Sequence, residues 1–162
     1  MIAIAKSNPA PMFLFIVRFI SIVAVGVISG ILLGIVLGYN PNTFTYATYL
    51  ELQQGAIKSM NVLMPVFGQL TTVIVLVFAL QQRSNKITFF VLLAAALLLV
   101  VSGLVTKFGN QPINSIVMGW TKAEIPSNWE AVRDRWWIFH QIRTVTTFVS
   151  FCLVVYAGLR TV

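Results

Sequence analysis

Four apolar runs, each about long enough to cross a bilayer, constrain this chain more than any other feature. They cover residues 13–37, 62–80, 87–106 and 136–159. A helix needs about 20 apolar residues to cross the hydrocarbon layer, and within lipid every backbone N–H and C=O must find its partner inside the protein. Open strands fail that condition. The pattern therefore predicts an all-α, integral membrane four-helix bundle, with a long amphipathic connection between spans three and four. Composition agrees, with 58% of residues hydrophobic and 9% charged, where a soluble domain is about half apolar and a quarter charged. The 162 residues leave no room for a separate soluble domain, so 1–162 reads as a single membrane domain.

A net charge of +7 would suggest nucleic acid as a partner for a soluble protein. Here the basic residues flank the apolar runs, where cations anchor helix ends against headgroups. The bilayer is the expected partner, and nucleic acid is not. A lone cysteine, Cys152, excludes an intrachain disulfide and reads as an inert residue packed within an apolar run. The N-terminal run, preceded by Lys6 and carrying Arg18, exceeds the h-region of a signal peptide and is expected to be a retained first span.

Within the first span Gly26, Gly30, Gly34 and Gly38 recur every fourth residue, a spacing that permits close helix–helix approach in lipid. Residues 43–82 read as one long bent helix, disturbed locally by Pro65. Asn110, Pro112 and Asn114 signal a helix stop and turn after the third span. The short connection 81–86 makes its neighbours antiparallel. Four spans put both termini on one side and the long connections 39–61 and 107–135 on the other. Basic residues are nearly balanced between the sides; the termini are expected to face the cytoplasm of a bacterial plasma membrane.

The segment 110–143 holds all four tryptophans and His140, the single histidine. Trp129, Arg133, Trp136, His140, Arg143 and Thr147 follow one another at steps of three and four, so they share one helical face. A second polar series, Glu51, Gln54, Lys58 and Asn61, belongs to the same membrane side. Polar faces near hydrocarbon turn inward, so the two stripes are expected to face each other. Packing alone would also produce this spacing: Arg143 and Glu51 could simply pair, and Trp120 and Trp129 could be interfacial anchors.

His140 is the candidate general base, because imidazole titrates near neutrality, and Glu51 is the acid that would orient it. Arg143 and Arg133 would stabilise an anion. Glu51, Gln54, Asn61, Asn110, Asn114, Trp120, Trp129 and Trp136 are the candidate substrate-binding residues. One histidine, one cysteine and four carboxylates in no ligand spacing argue against a zinc or non-haem iron centre. Haem, needing a single axial ligand, stays open, although no attachment motif is present. Glycine-rich phosphate loops are absent, and no cofactor is expected.

The assembled pattern Asn110-x-Pro112-x-Asn114, Trp120, Pro126-x-x-Trp129, Arg133-x-x-Trp136-x-x-x-His140-x-x-Arg143 resembles the anthrone-oxygenase-like family of small four-span membrane proteins. Gln53, Gln54, Asn61, Met64 and Pro65 fit the same family's second helix, so the resemblance covers most of the chain from Tyr39 onward. It implies a cofactor-independent oxygenase acting on a hydrophobic phenolic small molecule with dioxygen. Some fungal members oxidise anthrones to anthraquinones. The competing reading is a non-catalytic accessory or a lipid- or quinone-binding protein. A small transporter is disfavoured because no polar stripe runs the full membrane depth, while a pore built by a homo-oligomer stays open.

Overall fold

In the computed structural model, which describes residues 9–160, the chain is helical throughout its regular structure. Helix α1 spans Pro9–Gly38, α2 Tyr46–Met60, α3 Leu63–Gln81, α4 Lys86–Val105, α5 Gln111–Met118 and α6 Trp129–Leu159. Four helical stretches are long and apolar enough to cross a membrane: Met12–Thr43, Leu63–Gln81, Lys86–Met118 and Trp129–Arg160. The protein is an integral membrane four-helix bundle in which α1 and α4 each pack against both α3 and α6. Lys6 lies outside the described residues.

Named contacts give the register. Leu32 meets His140, Gly26 meets Phe151 and Ile22 meets Gly158, so α1 and α6 run antiparallel. Ala95 meets Ser150, Ser102 meets Thr147 and Asn110 meets Trp136, which makes α4 antiparallel to α6 as well. Two apolar cores result. One, around Val25, Val75, Phe78, Leu92, Ala95 and Val154, fills the half of the bundle nearer the α3–α4 turn. The other, around Tyr46, Tyr49, Leu50, Ile113, Val117, Trp136 and Trp137, lies where α2 and α5 cap the opposite end. Helix α6 has 31 residues, about 46 Å of length. Counting about 20 residues back from Leu159 sets the edge of the hydrocarbon layer near His140.

The helix boundaries have local causes. Thr45 caps α2 by accepting from the Thr48 N–H at 3.3 Å, and Asn85 caps α4 by accepting from the Thr88 N–H at 3.3 Å. The expected continuous helix over 43–82 is instead divided by a turn at Asn61 and Val62. Pro65 falls in the first turn of α3, where its missing N–H and ring cost nothing, because those N–H groups have no intrahelical acceptor.

Three further expectations are corrected. The third span does not stop at Asn110: it passes through a π-turn, Thr106–Asn110, straight into α5. The wider turn lets the Gln111 N–H reach back to the Thr106 carbonyl, and Pro112 follows at the start of α5, where its missing N–H is tolerated. Cys152 is exposed on the bundle's outer face rather than buried. Of the glycine stripe, only Gly26 makes a close approach, to Phe151; a Cβ on Gly30, Gly34 or Gly38 would meet nothing within 4 Å. Spacing records which residues share a face but not whether a neighbour lies against it.

Candidate functional site

The face of α6 expected to turn inward does so. Arg133, Trp136, His140 and Thr147 are buried, with His140 fully inaccessible. The rings of Trp136 and Trp137 lie nearly parallel to the imidazole, at 5.2 and 5.6 Å between centroids. Arg143, one turn further on, donates to His140 Nδ1 from Nη2 at 2.8 Å and from Nε at 3.2 Å. A guanidinium is a donor only, so Nδ1 is the accepting nitrogen. The proton then sits on Nε2, which donates to the Leu32 carbonyl at 3.2 Å on α1. His140 is thus a neutral imidazole with both nitrogens engaged, held between α1 and the arginine.

Arg143 is the group that faces open space. It borders two cavities whose linings share Leu32, Met64, Pro65 and Thr106. The smaller, about 130 Å³, lies under α2 and is bordered by Tyr39, Gln53, Asn61, Asn114 and Trp136. The larger, about 580 Å³, lies between α3 and α4 with Ser102 and Thr147 in its walls. All four side-chain carboxylates of the chain are on exposed residues, and among the described residues none pairs with Arg143. A cation at the hydrocarbon edge therefore faces two cavities without a counter-charge, which is an arrangement suited to an incoming anion.

The smaller cavity has a wall of satisfied polar groups. The Asn114 side chain donates to Asn61 Oδ1 at 2.8 Å and accepts from Trp136 Nε1 at 2.9 Å. Tyr39 Oη donates to Gln53 Oε1 at 3.0 Å. Asn61, Asn114, Trp136 and Arg143 are the predicted residues brought together here.

The other candidates stand apart from both cavities. Glu51 pairs at 2.9 Å with Lys122 on the surface instead of with Arg143, and it is too far out to orient His140. The hydrogen bond from Lys122 holds its carboxyl below the usual carboxylate range. Gln54 clamps α2 to the end of α5 by donating to the Val117 and Trp120 carbonyls. Asn110 donates to the Trp136 carbonyl at 3.1 Å, while its Oδ1 is buried without a partner. Trp120 and Trp129 pack around Tyr46. Arg133 is neutralised by Asp134 at 2.9 Å and stacks over Trp129.

Sequence reasoning missed Tyr39, Gln53 and Thr106 as lining residues. Gln53 had a readable signal. Tyr46, Tyr49, Leu50, Gln53 and Ile57 form the buried face of α2, so Gln53 is a polar residue inside an apolar stripe. Burial pushes the Tyr49 phenol upward, which keeps it neutral on that face. Glu51 and Lys58, taken as inward, lie on the exposed side. Thr106 had no such signal, because the π-turn that places it is not visible as periodicity.

Among the described residues no three His, Cys, Asp or Glu side chains converge. The chemistry at the cavities is carried by amides, hydroxyls, one indole, the Arg143 guanidinium and, on the rim of the larger cavity, the Lys107 ammonium. A family model described as anthrone oxygenase matches residues 55–153, from within α2 to within α6, taking in Asn61, Asn110, Asn114 and the whole face of α6 from Trp129 to Thr147. No curated protein and no solved structure matches the chain.

Proposed function

Because the chain belongs to the anthrone oxygenase family, we propose that it is a membrane oxygenase that ionises a hydrophobic phenolic substrate and lets the anion react with dioxygen. The observation that carries this reading is Arg143, a cation without a carboxylate, bordering two cavities and resting on a neutral imidazole.

The substrate's oxygen takes the guanidinium of Arg143, which leaves His140 Nδ1. Nδ1, now an open lone pair, accepts the proton that the substrate releases. The imidazolium keeps its Nε2–H on the Leu32 carbonyl and has two near-parallel indole rings beside it, which favour a cation. Charge balances, since arginine faces the substrate anion while the proton rests on His140. For an anthrone, the ring carbon of the anion next bonds to dioxygen with the electron pair left by the departed proton. The C–O bond gives a peroxide that takes back the proton held on His140; loss of the remaining C–H proton and cleavage of the O–O bond then leave a ketone and release water, so one O₂ yields one C=O and one H₂O. The anion supplies the electrons, and no bound cofactor is required. Asn61, Asn114 and Trp136 would contact only the end of the substrate that reaches past Arg143 into the smaller cavity. Gln54, Asn110, Trp120 and Trp129 would hold the frame, with Glu51 fixing the outer loop through Lys122. Arg133 would act at one remove, keeping Trp129 and the entrance of α6 in place. With the termini in the cytoplasm, the site end would face outward.

The test is oxygen uptake and quinone absorbance with an anthrone, using the protein in phosphatidylcholine vesicles and subtracting spontaneous oxidation. His140→Gln should lose turnover by about a hundredfold or more, the scale of general-base contributions, with its melting curve retained. Undiminished turnover would remove the base assignment. One observation favours a second reading, a non-catalytic lipid- or quinone-binding protein: both ring nitrogens of His140 are already occupied and the ring borders neither cavity. That reading predicts no oxygen uptake by the native protein.

A further inference from the structure

The larger cavity has features that close packing does not explain. Gly68 of α3 and Gly103 of α4 both line it, and small residues in spanning helices ordinarily let neighbouring backbones touch. Here a Cβ on either glycine would meet nothing within 4 Å. Val75, Phe78 and Ala79 of α3 and Leu92, Ala95 and Ala96 of α4 share one apolar core, and towards the site end a cavity lined by both helices opens between them. It lies between the break before α3 and the π-turn after α4.

The opening faces the membrane. Val73, Val100 and Leu104 line the cavity and are 57%, 44% and 50% exposed on helices that cross the bilayer. Its floor is different: Ser102, Thr147 and Arg143 come from the buried sides of α4 and α6. A molecule in the crevice therefore has a largely apolar mouth behind it, with exposed Gln69 and Lys107 on its rim, and hydroxyls and a guanidinium ahead. Size separates the two cavities. Small-molecule sites run from about 300 to 1,000 Å³; about 580 Å³ lies in that range and about 130 Å³ does not.

We propose that the crevice between α3 and α4 is a lateral portal and binding chamber, through which a ring compound with an acidic hydroxyl passes from the bilayer to Arg143 without entering water. Arg143 selects the hydroxyl, and Gly68 and Gly103 keep the passage open. The inference rests on the reading of Arg143 as the group that holds the substrate's oxygen.

The probe is 4-hydroxybenzophenone, a bilayer-soluble acidic phenol that inserts into nearby C–H bonds on irradiation. It is applied to the native protein in phosphatidylcholine vesicles, with adducts mapped by peptide mass spectrometry. Adducts should concentrate on residues 64–73 and 99–107, exceed those of unsubstituted benzophenone by about tenfold, the worth of one charge-assisted hydrogen bond, and be competed by 2-naphthol. Arg143→Gln should abolish the preference for the hydroxylated probe. Gly103→Phe should close the passage and remove most adducts while the melting curve stays intact; Gly68→Leu is the smaller plug should the phenylalanine variant misfold. Uniform labelling of all lipid-facing helices would overturn the portal. So would equal labelling by benzophenone, the mark of a crevice that takes any acyl chain, or adducts confined to Tyr39 and Gln53, the mark of entry from the aqueous end. Oxygen uptake without crevice adducts would sink the portal and leave the oxygenase reading standing. Crevice adducts without oxygen uptake would do the reverse.

Discussion

Arg143 and His140 illustrate how a charged side chain is tolerated at the edge of hydrocarbon. Among the described residues the guanidinium has no acid to pair with, so its donors go to a neutral nitrogen, and its Cζ lies 5.9 Å from the Trp136 ring centroid. The two-pronged hold on Nδ1 depends on a planar fork that lysine lacks. Arg143→Lys should therefore keep the positive charge yet lower turnover by about a hundredfold, the scale of losing one oxyanion donor. Steady-state oxygen uptake checks this, and wild-type turnover in the lysine variant would mean that charge alone suffices. At this scale the sequence was informative about identity. Trp136, His140, Arg143 and Thr147 were legible as one inward face because a helix repeats every 3.6 residues. Their partners were not. Glu51 was the acid expected near Arg143, but it lies one helical step off the inward face of α2 and pairs with Lys122.

Among the elements, the π-turn Thr106–Asn110 has the clearest physical signature. It brings Gly109 so close to α6 that an added Cβ would stand 2.7 Å from the Phe139 ring. Either the ring or the turn would have to move. Gly109→Ala should destabilise the protein by about 1–3 kcal/mol, as overpacking does in a filled core. Gly34→Ala, with open space around it, should change stability by no more than about 0.5 kcal/mol. Denaturation in detergent measures both, and a neutral Gly109→Ala would show that the Phe139 ring gives way without cost. Glycine spacing in α1 pointed to a contact stripe that the bundle uses only at Gly26, whereas the isolated Gly109 carried no pattern and proved the crowded one. Periodicity reports faces, and crowding depends on what stands opposite.

For the whole molecule, the charge distribution separates a working interior from a solvated rim. Lys122 and Glu51 are 63% and 72% exposed at the side chain, so their pair is screened and adds little. The sign of its pH dependence still follows. A carboxyl held below its usual range contributes stability that is present above the unfolded value and fades as pH falls through the folded one. Glu51→Gln should therefore leave the melting temperature nearly unchanged at neutral pH, and whatever difference exists should vanish in acid. A large loss at neutral pH would give the outer loop a greater role than its exposure allows.

The sequence by itself determined the class of molecule: four spans, a helical bundle, and a polar segment gathered at one end. Those follow from the length of apolar runs and the obligation to satisfy every backbone group in lipid, which are properties of the chain alone. The tertiary structure decided which neighbours meet. It set Leu32 against His140, divided α2 from α3, carried span three through a π-turn and opened a cavity lined by Gly68 and Gly103. Each of these depends on helices distant in sequence. The local repeat that announces a helix's inner face holds no information about the distance to the next helix, and that distance is what makes a cavity.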